Sequence, residues 1–201
     1  MAIEKAELKF EDDLIHKLET LGGVKQWKYE PSINTTEELW NNFKRILEEN
    51  NQDKLDNPLS VSEFSQVKQI ITNLKTPYEA GQFLYGLNGV SQVEVYLDSG
   101  KHVYLTVFDQ AQIGAGNTRY QVVNQIEREA VIPGFPNRRF DTTLLINGLP
   151  IIQIEEKADY HDVDEALNQM HRYIHEEQYG DIFSTLQILV GMTPHDAKYM
   201  A

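Results

Sequence analysis

The chain has 201 residues, 41% hydrophobic and 24% charged, with no cysteine and a formal net charge of −13 at pH 7. This composition is typical of one globular domain, and the lack of cysteine excludes disulfides and thiolate metal sites. The negative charge argues against unaided tight binding to DNA, no apolar run approaches the roughly 20 residues of a membrane span, and the acidic start does not resemble a secretory signal. We therefore expect a cytoplasmic protein without membrane contact.

The first ninety residues show helical periodicity. Apolar spacing predicts four helices and one short strand: helices over 4–21, 35–50, 62–74 and 78–87, and a strand over 24–30. Thr35 and Glu38 have the spacing of a capping box at the start of the second helix. We expect these helices to form a scaffold that packs against a sheet.

The first predicted helix carries two acids on one face. Glu7 and Glu11 are four residues apart, a spacing that places side chains on the same side of a helix. On spacing alone, both are interpreted as solvated acids. The apolar stripe predicted for this helix consists of Leu8, Leu14, Ile15, Leu18 and Leu21.

From Val90 the periodicity changes to two, which is typical of strands. The pattern predicts a hairpin over 93–107 that turns at 98–101, a loop over 110–117 and a strand over 120–128. The loop contains glycine but lacks the Gly-Lys-Ser/Thr of a phosphate-binding loop. Nothing in this part of the sequence indicates nucleotide binding.

The central stretch runs from Asp141 to Lys157. Two apolar runs flank the Asn-Gly pair at 147–148, which is a strong hairpin signal, and the second run leads directly into Glu155, Glu156 and Lys157. Residues two apart in a strand share a face. We therefore expect Glu155 and Lys157 to project together and Glu156 to point the other way.

Convergence of Asp141 with Glu155 carries a geometric condition. A regular hairpin with a two-residue turn would pair Asp141 with Ile154 and leave Glu155 on the opposite face. The two acids meet only if the connection has an odd number of residues or contains a bulge. We predict such an irregularity in this hairpin.

A helix and a strand follow the hairpin. Asp162 and Glu165 have N-cap and N3 spacing for a helix that ends near His175, and residues 185–190 predict a buried strand. Strand, helix and strand in this order are typical of a parallel pairing. The apolar stripe predicted for this helix consists of Val163, Ala166, Leu167, Met170 and Ile174. The whole pattern predicts one mixed α/β (α+β) domain over 1–201.

The residues at the end of the hairpin suit phosphodiester hydrolysis. Asp141 and Glu155 offer the one or two carboxylates that Mg²⁺ prefers, with waters and substrate phosphate completing its shell. Lys157 on the same face could orient an attacking water or neutralise developing charge. On spacing alone, a surface hairpin with a cross-strand ion pair is the favoured interpretation, but the Glu-x-Lys follows directly on an apolar strand rather than a polar loop. Gln169 and Tyr173 add a further signal, because they lie four apart on the next predicted helix.

The histidines do not form a zinc signature. His171 and His175 lie four apart on the last predicted helix and could bind a metal. A solvated helix face is the ordinary interpretation of the pair.

A long motif links these residues to a known family. It comprises NRRFDTTLLINGLPIIQIEEK over 137–157 and NQMHRY over 168–173, flanked by RYQVVNQIE and LQILVGMTPHDAKYMA. The motif closely resembles the amino-terminal nuclease domain of the restriction (R) subunit of type I restriction enzymes, a member of the PD-(D/E)xK nuclease superfamily. The likeness is strong over about 117–201 and mainly one of element order before that.

The resemblance implies a restriction-endonuclease-like core, with scaffold elements over about 1–116 and a catalytic core over about 117–201. It implies that Asp141 and Glu155 are Mg²⁺ ligands, that Lys157 is the catalytic lysine, and that Gln169 and Tyr173 form the family's Gln-x-x-x-Tyr motif. An early helix of this superfamily often donates a further acid, and Glu7 and Glu11 are both candidates. Glu156 stands where the family usually has an apolar residue, and Glu155 is assigned as the ligand because it lies two residues before the lysine.

The family's R subunit is much longer than this chain. It continues into motor domains that hydrolyse ATP and translocate double-stranded DNA, and into a region that docks on the methyltransferase and specificity subunits. We therefore expect this chain to be an amino-terminal fragment without the motor domains, and to cleave duplex DNA poorly alone. Two alternatives are a nuclease-fold docking or interaction module without activity and another PD-(D/E)xK nuclease that acts in repair.

Overall fold

The computed structural model describes residues 2–21, 26–113 and 115–201. Its helices are α1 (Ala2–Thr20), α2 (Thr36–Asn50), α3 (Val61–Thr72), α4 (Pro77–Tyr85), α5 (Gln110–Ile113) and α6 (Val163–His175), with a 3₁₀ helix at Asp181–Thr185. Its strands are β1 (Trp27–Tyr29), β2 (Val90–Tyr96), β3 (His102–Asp109), β4 (Tyr120–Arg128), β5 (Arg138–Ile146), β6 (Leu149–Glu156), β7 (Ile188–Met192) and β8 (Ala197–Met200). The mixed α/β prediction is confirmed.

One mixed sheet organises the molecule, with strands in the order β1-β4-β5-β6-β7-β8. β1 runs parallel to β4 and β6 runs parallel to β7, whereas β5 is antiparallel to both of its neighbours and β8 is antiparallel to β7. The parallel pairing predicted on either side of α6 is therefore confirmed. The predicted hairpin of β2 and β3 forms a separate two-stranded sheet. Within the described ranges, no helix has the length and apolar character needed to cross a membrane.

The two faces of the sheet bury different apolar clusters. The larger cluster includes Phe43 of α2, Leu145 of β5 and Tyr173 of α6. The smaller cluster includes Ile15 of α1 and Leu144 of β5. Because adjacent residues of a strand point to opposite faces, the division between Leu144 and Leu145 shows that α1 and α6 cover opposite faces.

Side-chain caps define where the helices begin. The predicted capping box of Thr35 and Glu38 is present at the start of α2, and the same arrangement starts α3 and α4. α6 begins differently, since the Asp162 carboxylate accepts a hydrogen bond from the Asp164 N–H at 2.9 Å. Each cap satisfies a backbone N–H that lacks a partner within its helix.

Three segments differ from the predicted elements. The loop predicted over 110–117 begins with α5, because the Asp109 carboxylate accepts a hydrogen bond from the Ala111 N–H and starts a helical turn. The strand predicted over 185–190 begins only at Ile188, because the Thr185 hydroxyl donates to the Ile182 carbonyl within the 3₁₀ helix. β8 was not predicted, since its exposed residues show no apolar alternation. Of the strand predicted over 24–30, the first two residues lie outside the described ranges.

The predicted apolar stripes of α1 and α6 are partly wrong. Leu8 and Leu21 are 44% and 61% exposed, whereas the acid Glu11 is only 4% exposed. In α6, Ile174 is 48% exposed and Tyr173 is 2% exposed in its place. Each helix is rotated so that a polar side chain enters the interface with the sheet, and both of these side chains belong to the predicted site.

Candidate active site

The hairpin of β5 and β6 turns at Asn147 and Gly148, which both have positive φ. Such angles are typical of the two-residue turns that match the twist of the flanking strands. A Cβ atom on Gly148 would lie 2.9 Å from the Cα of Phe43. The glycine therefore allows both the turn and the close approach of α2.

A bulge brings the two predicted acids together. The register of β5 and β6 shifts at Ile151, which is skipped in the pairing. Beyond this residue Thr142 pairs with Ile154, so the next position along the ladder sets Asp141 opposite Glu155. The predicted irregularity is confirmed. The turn has two residues, and the bulge at Ile151 adds one residue to β6 and shifts the register by one.

Glu155 is fully buried among polar partners. Its Oε1 accepts hydrogen bonds from the Gln169 amide and, at 3.4 Å, from the Lys157 ammonium. Its Oε2 has no hydrogen-bond partner among the described residues. Burial first, and then the nearby Asp141 charge, holds the pKa of Glu155 well above its ordinary value. The Oε2 atom is therefore a buried carboxylate oxygen without a hydrogen-bond partner among the described residues, on a carboxylate whose Oε1 is paired with Lys157.

Asp141 and Lys157 complete this group. The Asp141 Oδ2 accepts a hydrogen bond of 2.9 Å from the Glu156 N–H, which ties the end of β6 to β5. Burial raises the pKa of Asp141, while the Lys157 charge acts in the opposite direction. The Lys157 side chain is 14% exposed and also donates to the Glu156 carbonyl at 3.0 Å. The predicted projection of Glu155 and Lys157 to one place is confirmed.

Helix α6 supplies Gln169 and Tyr173 to the same place. The Gln169 Nε2 donates to the Glu155 carboxylate and, at 2.5 Å, to the Tyr173 hydroxyl. Burial, and then the Glu155 charge, raises the pKa of Tyr173. The four-residue spacing of the motif therefore places an amide between a phenol and a buried carboxylate. His171 and His175, which were candidates for a metal, are exposed on other faces of this helix.

The opposite face of the sheet carries a second acid pair. Glu156 is 2% exposed, and neither of its carboxylate oxygens has a hydrogen-bond partner among the described residues. The Thr142 hydroxyl lies beside it and also lacks a partner. Burial is the main cause that holds the pKa of Glu156 well above its ordinary value; the nearby Thr142 hydroxyl acts in the opposite direction, and the Asp141 and Glu11 charges add to the rise. Glu156 points away from Glu155, as alternation predicted.

Glu11 of α1 reaches this second face. Its carboxylate accepts hydrogen bonds from the Asn124 amide and, at 2.5 Å, from the Gln125 amide. Burial raises its pKa, and the Asp141 charge contributes. The interpretation of Glu11 as a solvated acid was therefore wrong. Glu7 is half-buried, and its charge raises the pKa of Asp141.

Gln125 is a feature that the sequence analysis missed. It has a φ of 54° within β4, in a region that non-glycine residues seldom adopt. Regular alternation would send Asn124 and Gln125 to opposite faces. The unusual backbone angle lets both amides reach Glu11, and no residue pattern in the sequence signals it.

The fold and these side chains together define a class of protein. A mixed sheet covered by helices, with two acids and a lysine at the end of its central hairpin, is a restriction-endonuclease-like α+β architecture. The chain belongs to the family described as type I restriction enzyme R protein N terminus, whose model matches residues 9–201. The match extends over the early helices as well as over the motif at the hairpin.

Several curated relatives are endonuclease subunits. The chain is 30% identical to the type I restriction enzyme SauMSSORF170P endonuclease subunit of Staphylococcus aureus (strain MSSA476). The aligned region has 199 residues and covers 98% of this chain and 19% of the relative. It is 29% identical over 201 residues to the SsaAORF53P endonuclease subunit of Staphylococcus saprophyticus, covering 99% of this chain and 20% of the relative. It is 34% identical over 106 residues to the EcoprrI endonuclease subunit of Escherichia coli, covering 52% of this chain and 32% of the relative. The chain thus spans about a fifth of the length of the staphylococcal relatives.

Proposed function

We propose that this chain is the Mg²⁺-dependent endonuclease domain of a type I restriction enzyme R subunit and hydrolyses phosphodiester bonds of double-stranded DNA. The observation that carries the proposal is the convergence of Asp141, Glu155 and Lys157 beside the bulge of the central hairpin. Membership of the family supports the same assignment. A PD-(D/E)xK nuclease centre is the arrangement that these three side chains fit best.

Asp141 and Glu155 fit a hard divalent cation. Among the described residues, no group of three or more His, Asp or Glu side chains is placed to hold a metal, but Mg²⁺ is commonly held by one or two carboxylates together with waters and substrate phosphate. The unpartnered Oε2 of Glu155 is a buried oxygen that a cation would satisfy. When bound, Mg²⁺ supplies positive charge that makes water more acidic and stabilises charge on the phosphate.

Lys157 is the proposed catalytic cation of the chain itself. Its ammonium lies 3.4 Å from the Glu155 Oε1 and has limited exposure, so it can orient a water and offset negative charge that develops on the phosphate. A positive charge acts more strongly in a partly buried site than in bulk water. Its two contacts, with Glu155 and with the Glu156 carbonyl, fix its direction.

Gln169 and Tyr173 are proposed to position Glu155. The Gln169 amide fixes Oε1 and leaves Oε2 open to a cation. Such supporting hydrogen bonds orient metal-binding side chains and tune their affinity. Of the two early acids, we propose Glu11 as the further acid of the centre, because it is buried, held by two amides and close enough to Asp141 for that charge to raise its pKa.

The activity of the whole protein is proposed to need regions beyond this chain. In this proposal, motor domains that hydrolyse ATP bring DNA to the nuclease centre, and methyltransferase and specificity subunits select the site. The chain has a net charge of −13, which opposes DNA binding unless other parts supply basic surface. We therefore expect the 201-residue chain alone to cleave DNA poorly.

Calorimetric titration with Mg²⁺ and Mn²⁺ tests the proposed centre. We expect the parent chain to bind the ion and Asp141→Ala to lose binding, because half of the carboxylate set is removed. Asp56→Ala is the matched control, since Asp56 is an exposed acid paired with Lys101 on the surface. Equal binding by the parent and Asp141→Ala would contradict the proposal and favour a nuclease-fold module without activity.

A further inference from the structure

An arginine–glutamate pair joins the two elements that form the proposed centre. The Arg138 Nε donates to the Glu176 Oε2 at 2.6 Å, and the Arg138 Nη2 donates to the Glu176 Oε1. The contact is therefore bidentate, which fixes both distance and orientation. The Arg138 side chain is 25% exposed and that of Glu176 only 6%. This pair is more enclosed than a typical surface ion pair.

The position of the pair relates it to the centre. Arg138 is the first residue of β5, three residues before Asp141, and Glu176 is the C-cap of α6, three residues after Tyr173. The pair therefore links the strand that carries Asp141 to the helix that carries Gln169. Each member of the pair therefore lies three residues along its element from a proposed site residue.

The pair also contacts the motif of α6 directly. The Arg138 guanidinium lies over the Tyr173 ring, 5.7 Å from its centroid. The Phe140 ring, next to Asp141, packs against the same Tyr173 ring with centroids 5.2 Å apart. Tyr173 thus contacts two residues of β5, and its hydroxyl accepts the hydrogen bond from Gln169.

These contacts form a continuous chain from the ion pair to a proposed metal ligand. Arg138 and Glu176 hold the end of α6 against β5, Arg138 and Phe140 contact the Tyr173 ring, and Gln169 bonds both to Tyr173 and to Glu155. Loss of Arg138 would remove the only side chain that hydrogen-bonds the enclosed Glu176 carboxylate among the described residues and leave it the weaker influence of the Arg172 charge. Without this ion pair, the end of α6 would be held less firmly against β5.

We propose that Arg138 and Glu176 are positioning residues, which hold α6 in register with β5 so that Gln169 presents Glu155 opposite Asp141. This inference rests on the proposed function, because it concerns the cation site of Asp141 and Glu155. Neither residue touches the proposed cation or the reacting phosphate. Their effect passes through Tyr173 and Gln169.

Mn²⁺ affinity of the 201-residue chain tests the inference. Arg138→Gln and Glu176→Gln should each weaken Mn²⁺ binding by about tenfold, the lower end of the effect of removing supporting contacts in metal sites. The exchanged pair, Arg138→Glu with Glu176→Arg, should recover most of the affinity. Arg119→Gln is the matched control, because Arg119 pairs with Glu49 at the opposite end of the hairpin.

Thermal unfolding measured beside the titration separates positioning from general stability. All titrations are made at a temperature at which circular dichroism shows each variant folded. A lower unfolding midpoint with unchanged Mn²⁺ affinity in both single variants would overturn the positioning role and leave the proposed function intact. Equal weakening in Arg119→Gln would also overturn it. If the parent itself does not bind Mn²⁺, the proposed function fails, and the inference fails with it.

Discussion

Adjacent residues of one strand, Glu155 and Glu156, have opposite surroundings. Glu155 faces α6, where an amide and an ammonium bond to one carboxylate oxygen and the second, buried oxygen has no hydrogen-bond partner among the described residues. Glu156 faces α1, where neither oxygen has a hydrogen-bond partner among the described residues. Both are almost fully buried, and burial raises the pKa of both. The comparison indicates that supporting contacts, rather than burial, distinguish the acid suited to a cation from its neighbour.

The largest effect is expected for Lys157→Ala. Removal of the ammonium beside Glu155 should lower the rate of DNA cleavage by the full-length protein about 10²–10³-fold, the range seen when one stabilising donor is lost from an active site. Lys198→Ala is the matched control, because Lys198 is an exposed lysine paired with Asp164. A similar loss of cleavage rate in Lys157→Ala and Lys198→Ala would contradict a specific catalytic role for Lys157.

A smaller effect is expected for Gln169→Ala, which removes the amide that holds Glu155. Mn²⁺ affinity should fall about 10–100-fold, as for other supporting contacts of metal ligands. Tyr173→Phe should have less effect, since it keeps the ring and its packing and removes only the hydroxyl bonded to Gln169. Asn168→Ala, at an exposed position of α6, should leave the affinity unchanged; an equal loss there would point to a general disturbance of the helix.

Glu156→Gln sharpens the comparison from the other side, and it should stabilise the chain. The pKa of Glu156 in the folded state is above its ordinary value of 4.5. Between pH 4.5 and the folded-state pKa, the unfolded chain therefore releases a proton that the folded chain retains. This contribution to stability is present below the unfolded pKa and is lost as pH rises toward the folded pKa. The gain from Glu156→Gln should be about 1–3 kcal/mol near neutral pH and should shrink toward acid pH.

Urea unfolding of the parent and Glu156→Gln at about pH 5 and about pH 8 measures this difference. Glu156→Asp is a suitable control, because it retains the titrating group. A constant difference between parent and Glu156→Gln at both pH values would contradict the assigned burial of an unpaired acid.

The smallest effect is expected for His171→Ala and His175→Ala. Both histidines are exposed on α6 and lie away from its Gln169 and Tyr173 side chains. Each substitution should change the free energy of unfolding by no more than about 0.5 kcal/mol and should leave Mn²⁺ affinity unchanged. Weaker Mn²⁺ binding in either variant would place a metal on a face of α6 that the structure leaves to solvent.

Local patterns were sufficient to predict the hairpin and its acids. The Asn-Gly pair at 147–148 and the flanking period of two predicted β5, β6 and the turn, and alternation correctly separated Glu155 from Glu156. The requirement that Asp141 meet Glu155 predicted either a connection with an odd number of residues or a bulge, and the structure has the bulge. Its position at Ile151 could not be read from the sequence, because an apolar residue there fits both a regular and a bulged strand.

Tertiary contacts account for what the sequence did not show. The burial of Glu11 depends on how α1 is rotated against β4, and on the positive φ of Gln125 that turns a second amide toward it. Arg138 and Glu176 are 38 residues apart in the chain; Arg138 lies within the long motif over 137–157, but Glu176 lies outside it, so no spacing in the sequence predicts that the two pair. Pairings of this kind arise from the way whole elements pack, which spacing along one element does not specify.

Anomalous diffraction from crystals of the chain soaked in Mn²⁺ tests the central claim most directly. The account predicts an ion bound by the carboxylates of Asp141 and Glu155, at about 2 Å as is usual for a small hard cation, with the Glu155 Oε2 among its ligands. It also predicts no ion whose ligands are the Glu156 oxygens alone. An ion held by Glu156 on the α1 face, with Asp141 and Glu155 unligated, would contradict the account.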